Sequence, residues 1–259
     1  MRPRMLKIPF LRRPVTRDLK QPLPVCYPVM ESAQFAARYQ TARIGGDFFD
    51  VVTFGDLLVF VMLDIAGKRE YALNVAAVVQ LVFRESAEEF FAIEHLNESD
   101  ALTQLALSIN RAIIEITGSA HFCTGFFGCF RESLGTLTYI SAGHTPGFLR
   151  DSNGITELVG QGLPLGLFLH ATHDARVHVM ETGAVLLLFS RGIMEAKKRK
   201  AEFGIGGVRE FLLRSTARDA TDLCNELLQT VRAHSKGGQI DNDLTTIALR
   251  RSAVKAART

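Results

Sequence analysis

Apolar and polar positions divide the chain into segments of two different periods. Residues 33–40, 45–54 and 57–65 are apolar-rich runs of strand length, bounded by polar or glycine-containing stretches, and they read as β-strands. The period then changes. In REYALNVAAVVQLVFRESAEEFF, Ala72, Val75, Val79 and Val82 recur at steps of three and four, as one face of a helix does. In a second helical stretch Asn97 is placed to cap, and Leu102, Leu105, Ile109, Ala112 and Ile116 keep the same period. Strand-like runs return in HFCTGFFGCF, GTLTYISAG, GFLRD, ITELV, ARVHVM and AVLLLFS. Helices are expected near 206–215 and 219–235, and LTTIALR supplies a last strand. Strands outnumber helices and follow one another as hairpins. That pattern predicts an α+β fold of antiparallel sheets with helices packed outside, not a doubly wound parallel sheet.

The chain has 259 residues, 47% of them hydrophobic and 22% charged, which suits one large domain with a full core. Residues 1–26 contain Pro3, Pro9, Pro14, Pro22 and Pro24 and read as a basic, extended N-terminal arm. Residues 27–251 form the expected domain, and 252–259 a basic tail. The net charge of +3 is modest, and positive residues gather in the arm and the tail. No basic stripe interleaved with aromatics is present, so nucleic acid is not an expected partner. The arm and tail read as solvated segments, with weak contact to an acidic surface as the second reading. Cys26, Cys123, Cys129 and Cys224 show no zinc-ligand spacing, which fits reduced thiols. No apolar window reaches the roughly 18 residues of a membrane span, and KIPFL is too short for a signal sequence, so the expected location is cytoplasmic.

Two carboxylates stand where buried strands call for Val or Phe. Asp47 lies in the run 45–54 and Asp64 near the end of 57–65. If Gly55-Asp56 forms a two-residue hairpin turn, the antiparallel register sets Asp47 opposite Asp64 on one face. Directly opposed like charges cost roughly 0.2–1 kcal/mol when exposed and more when buried. One carboxylate then takes up a proton unless a cation neutralises both. A hard divalent cation resolves the conflict, because carboxylate oxygens suit Mg or Mn. The competing reading is a shifted register in which one aspartate caps the local turn. Gly45-Gly46 permits close backbone approach, and DIAGK reads as a strand end entering a helix at about Glu70. Asp50 falls on the opposite strand face from Asp47 and reads as a turn or hydrogen-bonding residue.

Six segments, ARYQTARIGGDFFDVV, LDIAGK, LTYISAGHTPGFLR, GLPLGL, LLLFSRGIMEA and NDLTTIALR, resemble in order the motifs of PPM-type metal-dependent protein phosphatases of the bacterial SpoIIE/RsbU-like branch. The resemblance covers about Tyr27 to Arg250. It implies an αββα four-layer sandwich, two antiparallel sheets flanked by helices, with two Mn or Mg ions at one edge. It further implies a metal-activated water that hydrolyses a phosphoserine or phosphothreonine of a regulatory protein, an anti-anti-sigma-like one in this branch. Carried over by position, Asp47 binds the first metal, Asp64 bridges both, and the Ile65 carbonyl assists. Arg43 falls where it would touch substrate phosphate, although an exposed salt bridge is the commoner role of such an arginine. His144, in SAGHTPG, is expected to bond backbone and shape a strand connection, not to transfer a proton. No sensor segment is recognised, so regulation is expected from a separate protein or from the arm.

The chain departs from the pattern at three places. Where the family has T/S-D-G, this chain has Ser190-Arg191-Gly192, and where it has D-D-x-T, this chain has Asn242-Asp243-Leu244-Thr245. Arg69 replaces the last glycine of DIAGKG. Arg191 sets a permanent positive charge where the second cation belongs. Asp243 keeps the remaining aspartate and is expected to reach a metal. The first metal site is expected to survive and the second to be impaired. Two functions follow: a phosphatase in which Arg191 stands in for one metal by binding phosphate or catalysis is weak, or a pseudophosphatase that binds a phosphoprotein or regulatory partner without turnover.

Overall fold

A computed structural model describes residues 21–41, 46–118, 121–236 and 240–253. Two five-stranded sheets, antiparallel at every strand pairing, lie face to face. One has the order β1 (Ala33–Gln40), β12 (Leu244–Arg251), β9 (Val185–Phe189), β6 (Gly147–Asp151), β7 (Gly154–Leu158). The other runs β2 (Asp47–Phe54), β3 (Leu57–Ile65), β4 (Cys123–Arg131), β5 (Thr136–Ala142), β8 (Arg176–Val179). Their inner faces enclose a core that includes Phe35, Phe60, Met62, Phe126, Leu188 and Ile247.

Helices cover both outer faces, as the periodicity predicts. On the second sheet α1 (Arg69–Phe91) and α2 (Glu98–Thr117) bury Val75, Val79, Phe83, Leu102, Leu105 and Ile109. On the first, α4 (Gly204–Arg214) and α5 (Ala220–His234) bury Val208, Leu212 and Leu227. The result is the αββα sandwich. Asn97 caps α2 as expected, its side chain accepting from the amides of Ser99 and Asp100. The first strand of the β2–β3 hairpin starts at Asp47, two residues later than the apolar run suggests. A five-residue helix α3 (Arg191–Glu195) and a small hairpin, β10 (Lys197–Lys198) with β11 (Ala201–Glu202), were not expected. Elements this short complete too few periods to leave a pattern.

Asp50 is a hydrogen-bonding residue of an unusual kind. It is fully buried under α1, where Arg84 Nε donates to its Oδ2 at 2.7 Å and Arg84 Nη2 to its Oδ1 at 3.2 Å. The same helix ties down the segment before β1. Gln80 exchanges two bonds with the backbone of Leu23, and Arg84 donates to the Pro24 carbonyl. Removing one partner of a buried ion pair strands the other charge. Asp50→Ala is therefore expected to cost about 3 kcal/mol, the lower end for such pairs, because Arg84 retains some water contact. Urea denaturation checks this, and a loss below about 0.5 kcal/mol would show that the pair is not holding α1 to β2.

Candidate metal centre

The edge where both sheets end brings the acidic residues together. Asp47 opens β2 and pairs with Asp64 near the end of β3, the register that a Gly55-Asp56 turn demands. From the other sheet come the end of β9, continuing into Ser190 and Arg191, and the start of β12, preceded by Asn242 and Asp243. Ser190 fastens these two strands. Its Oγ donates to the Asp243 carbonyl at 3.1 Å and accepts from the Thr245 amide at 3.1 Å. Thr245 then crosses to the opposite sheet, its Oγ1 donating to Asp47 Oδ2 at 2.5 Å. Glycines permit the close approach. A Cβ on Gly46 would stand 2.2 Å from the Ile65 carbonyl oxygen, and one on Gly192 would stand 2.1 Å from that of Asp243.

These groups line a cavity of about 50 Å³ that includes Asp47, Asp64, Ile65, Arg191, Asn242 and Asp243. A larger cavity, of about 680 Å³, is lined by α4 and α5 residues and contains none of them. Burial pushes the Asp47 carboxyl up to about 8, against the Thr245 hydrogen bond, and the nearby Asp64 charge adds to the rise. Asp64 is raised as well, by burial first, with Arg191 opposing. The two opposed carboxylates thus lack enough compensating positive charge of their own.

Positive groups fill the other half of the site. Arg191 Nε lies 3.5 Å from Asp64 Oδ2 and 3.5 Å from Glu195 Oε1. Asn242 Nδ2 donates to Glu195 Oε2 at 2.6 Å. Arg69 Nη1 lies 3.6 Å from Asp243 Oδ1, and Tyr39 donates to Asp243 Oδ2 at 2.8 Å. Arg69 stands out in the sequence only as a lost glycine, and Glu195 and Tyr39 are functional residues that no sequence motif singles out. For Glu195 a signal existed, since it follows Arg191 at the four-residue spacing of a helical ion pair. Arg43 lies outside the described residues. His144 lies apart from the cavity lining: its Nδ1 is 2.9 Å from the Thr145 carbonyl oxygen, and burial lowers its pKa to about 4, so it stays neutral near pH 7.

The donor set fits one divalent cation. Asp47 and Asp64 supply opposed carboxylates and the Ile65 backbone borders the same cavity. On the other side of the cavity Arg191 and Asn242 present N–H donors, and Asp243 is engaged by Arg69 and Tyr39. Among the described residues, no group of three or more His, Cys, Asp or Glu side chains is arranged to hold a metal.

The layered fold and the acidic edge define the class of PPM-type phosphatases, and the comparisons agree. Residues 55–252 match the family described as Stage II sporulation protein E (SpoIIE). The chain belongs to that family. It is 26% identical over 252 residues to Protein IcfG of Synechocystis, covering 89% of this chain, and 22% identical over 212 residues to the phosphoserine phosphatase RsbU of Bacillus subtilis, covering 81%. It spans 40% and 60% of the lengths of those two relatives. The RsbU and RsbW domains of Rv1364c from Mycobacterium tuberculosis superpose with a TM-score of 0.73 at 24% identity, covering 90% of this chain and 65% of that one. The catalytic domain of the phosphatase PstP, solved with 2 manganese ions, superposes at 0.62 with 14% identity, covering 85% and 99%.

Asp47 gives a pH prediction for the metal-free protein. The folded pKa of about 8 lies above the unfolded value near 3.9, so the native state holds a proton that the unfolded chain releases. The stabilisation is full below about pH 4 and is lost as pH rises toward 8, by at most about 1.4 kcal/mol per pH unit. Thermal melts in chelator across pH 5–8 should show this decline, and Asp47→Asn should flatten it. An identical decline in the variant would assign it to another group.

Proposed function

We propose that the chain is a metal-dependent protein serine/threonine phosphatase of the SpoIIE/RsbU type, with one Mn or Mg ion held by Asp47, Asp64 and the Ile65 carbonyl, and with Arg191 working where a second ion would sit. The observation that carries this reading is the Asp47–Asp64 pairing with Arg191 alongside it. A bound divalent cation would lower the pKa of a coordinated water and neutralise phosphate charge. Thr245 orients the Asp47 carboxylate through its hydroxyl bond. The Arg191 side chain is 56% exposed, so its guanidinium can leave Asp64 and Glu195 and take two phosphate oxygens as a fork. Arg43 is proposed as a second phosphate contact. Asp243, bonded by Tyr39 and paired with Arg69, would be a further oxygen donor for the metal if these contacts open. The substrate is a phosphorylated regulatory protein, an anti-anti-sigma-like one, by analogy with the RsbU relative, and the protein acts in the cytoplasm through a domain spanning residues 27–251. No helix among the described residues is long and apolar enough to cross a membrane.

A second reading, a pseudophosphatase that binds a phosphoprotein or regulatory partner without turnover, is favoured by one observation: both second-site positions, Arg191 and Asn242, carry N–H donors that satisfy Glu195.

Hydrolysis of an aryl phosphate separates the two. The phosphatase reading expects Mn-dependent turnover that falls more than about 100-fold in Asp64→Asn, beyond the 10–100-fold typical of an outer-shell residue. Absence of turnover in the unmodified protein, restored by Arg191→Asp with Asn242→Asp, would establish the pseudophosphatase. Titration calorimetry with Mn should give one tight site in the unmodified protein and two in that double variant. Two tight sites before substitution would refute the arginine replacement.

A further inference from the structure

The loop from Leu163 to Leu169, between β7 and β8, turns its apolar side chains outward. Leu163, Leu167, Phe168 and Leu169 are between 38% and 58% exposed, while Leu165 between them is fully buried. Phe122, beside this loop, is 44% exposed. Isolated exposed apolar residues are ordinary, but a contiguous group on one loop is not.

The exposure is imposed by the fold. Leu165 exchanges two backbone bonds with Cys123, at 3.0 and 2.8 Å. Asn110, fully buried in α2, donates to the Phe168 carbonyl at 2.9 Å and accepts from the Gly166 amide at 2.8 Å. His173, also buried, has its Nε2 2.7 Å from the Leu163 carbonyl oxygen. Two buried polar side chains and one pair of backbone bonds thus hold the loop in a shape that leaves four large apolar groups in water. Polar side chains on the same backbone would remove that cost.

The loop also adjoins the metal centre. Ala66, which lines the cavity, donates its amide to the Phe122 carbonyl at 3.4 Å, and Phe122 leads directly into Cys123, the partner of Leu165. Gly166 sits against the backbone of His121 and Phe122. A cavity of about 50 Å³ admits little beyond a phosphoryl group and its immediate attachment. A protein substrate must therefore gain its affinity outside the cavity, and burial of these exposed apolar groups is a source beside it.

We propose that Phe122 and the Leu163–Leu169 loop form the docking surface for the phosphoprotein substrate and select a phosphoserine flanked by apolar residues. The inference rests on the phosphatase reading of the neighbouring site. Its occupant is an apolar surface of the substrate, brought to the loop as the phosphoryl group enters the cavity.

Fluorescence anisotropy tests it with two labelled phosphoserine peptides of equal length and charge, one with Leu and Phe flanking the phosphoserine and one with Ser and Gly, in the presence of Mn. The full chain should bind the apolar-flanked peptide at least tenfold more tightly. Leu167→Ser with Phe168→Ser should abolish that preference and leave aryl phosphate hydrolysis unchanged. Leu213→Ser, at an exposed leucine on α4, should change neither. Melting temperatures confirm that the variants are folded. Equal binding of the two peptides, or an unaltered preference in the loop variant, overturns the docking surface and leaves the phosphatase reading intact. Failure of both peptides to bind, with no aryl phosphate turnover, removes both. A dimer in sedimentation velocity that dissociates in the loop variant would reassign the surface to a second copy of the chain.

Discussion

Two carboxylates facing each other across one antiparallel ladder form the constraint on which this end of the molecule is built. Asp47 and Asp64 are paired by register, so neither can turn away without breaking the β2–β3 hairpin. Burial drives both toward protonation, and the chain offers only partial relief: the Thr245 hydroxyl on Asp47 and the Arg191 guanidinium at 3.5 Å from Asp64. A divalent cation held as proposed would supply what is lacking. The crossing bond from Thr245 makes the two sheets share the cost, because the residue that steadies Asp47 belongs to the opposite layer.

Fixed positive charge lines the other side of the cavity. Arg191 lies between Asp64 and Glu195, Arg69 lies against Asp243, and Asn242 donates to Glu195. Each of these cationic or amide groups faces an acid of the same cluster. The cost is versatility. A guanidinium can orient a phosphate, but it cannot lower the pKa of a water as a metal does. The proposed centre of one cation and one arginine would keep much of the charge neutralisation and leave water activation to the single cation.

Much of this was legible in the sequence, for identifiable reasons. The long helices announced themselves because Val75, Val79, Leu105 and Ile109 repeat a face over several turns. The Asp47–Asp64 register followed from one two-residue turn. Helix α3 was invisible because five residues make barely more than one turn, and with it went Glu195. Arg69 could be recognised as a departure, but its partner Asp243 lies far away in sequence on the other sheet, and only the packing of β12 beside that edge brings the two together. The loop at 163–169 carries four exposed apolar side chains. Its outward turn depends on Asn110 and His173, whose partners no local pattern reveals.

The central claim is that this edge holds one divalent cation between Asp47 and Asp64 and a guanidinium in place of another. Electron paramagnetic resonance of the protein titrated with Mn tests it most directly, because neighbouring manganese ions couple magnetically and an isolated one does not. The account predicts an uncoupled signal that saturates at one equivalent and disappears in Asp47→Asn. An exchange-coupled signal that saturates at two equivalents in the unmodified protein would contradict it.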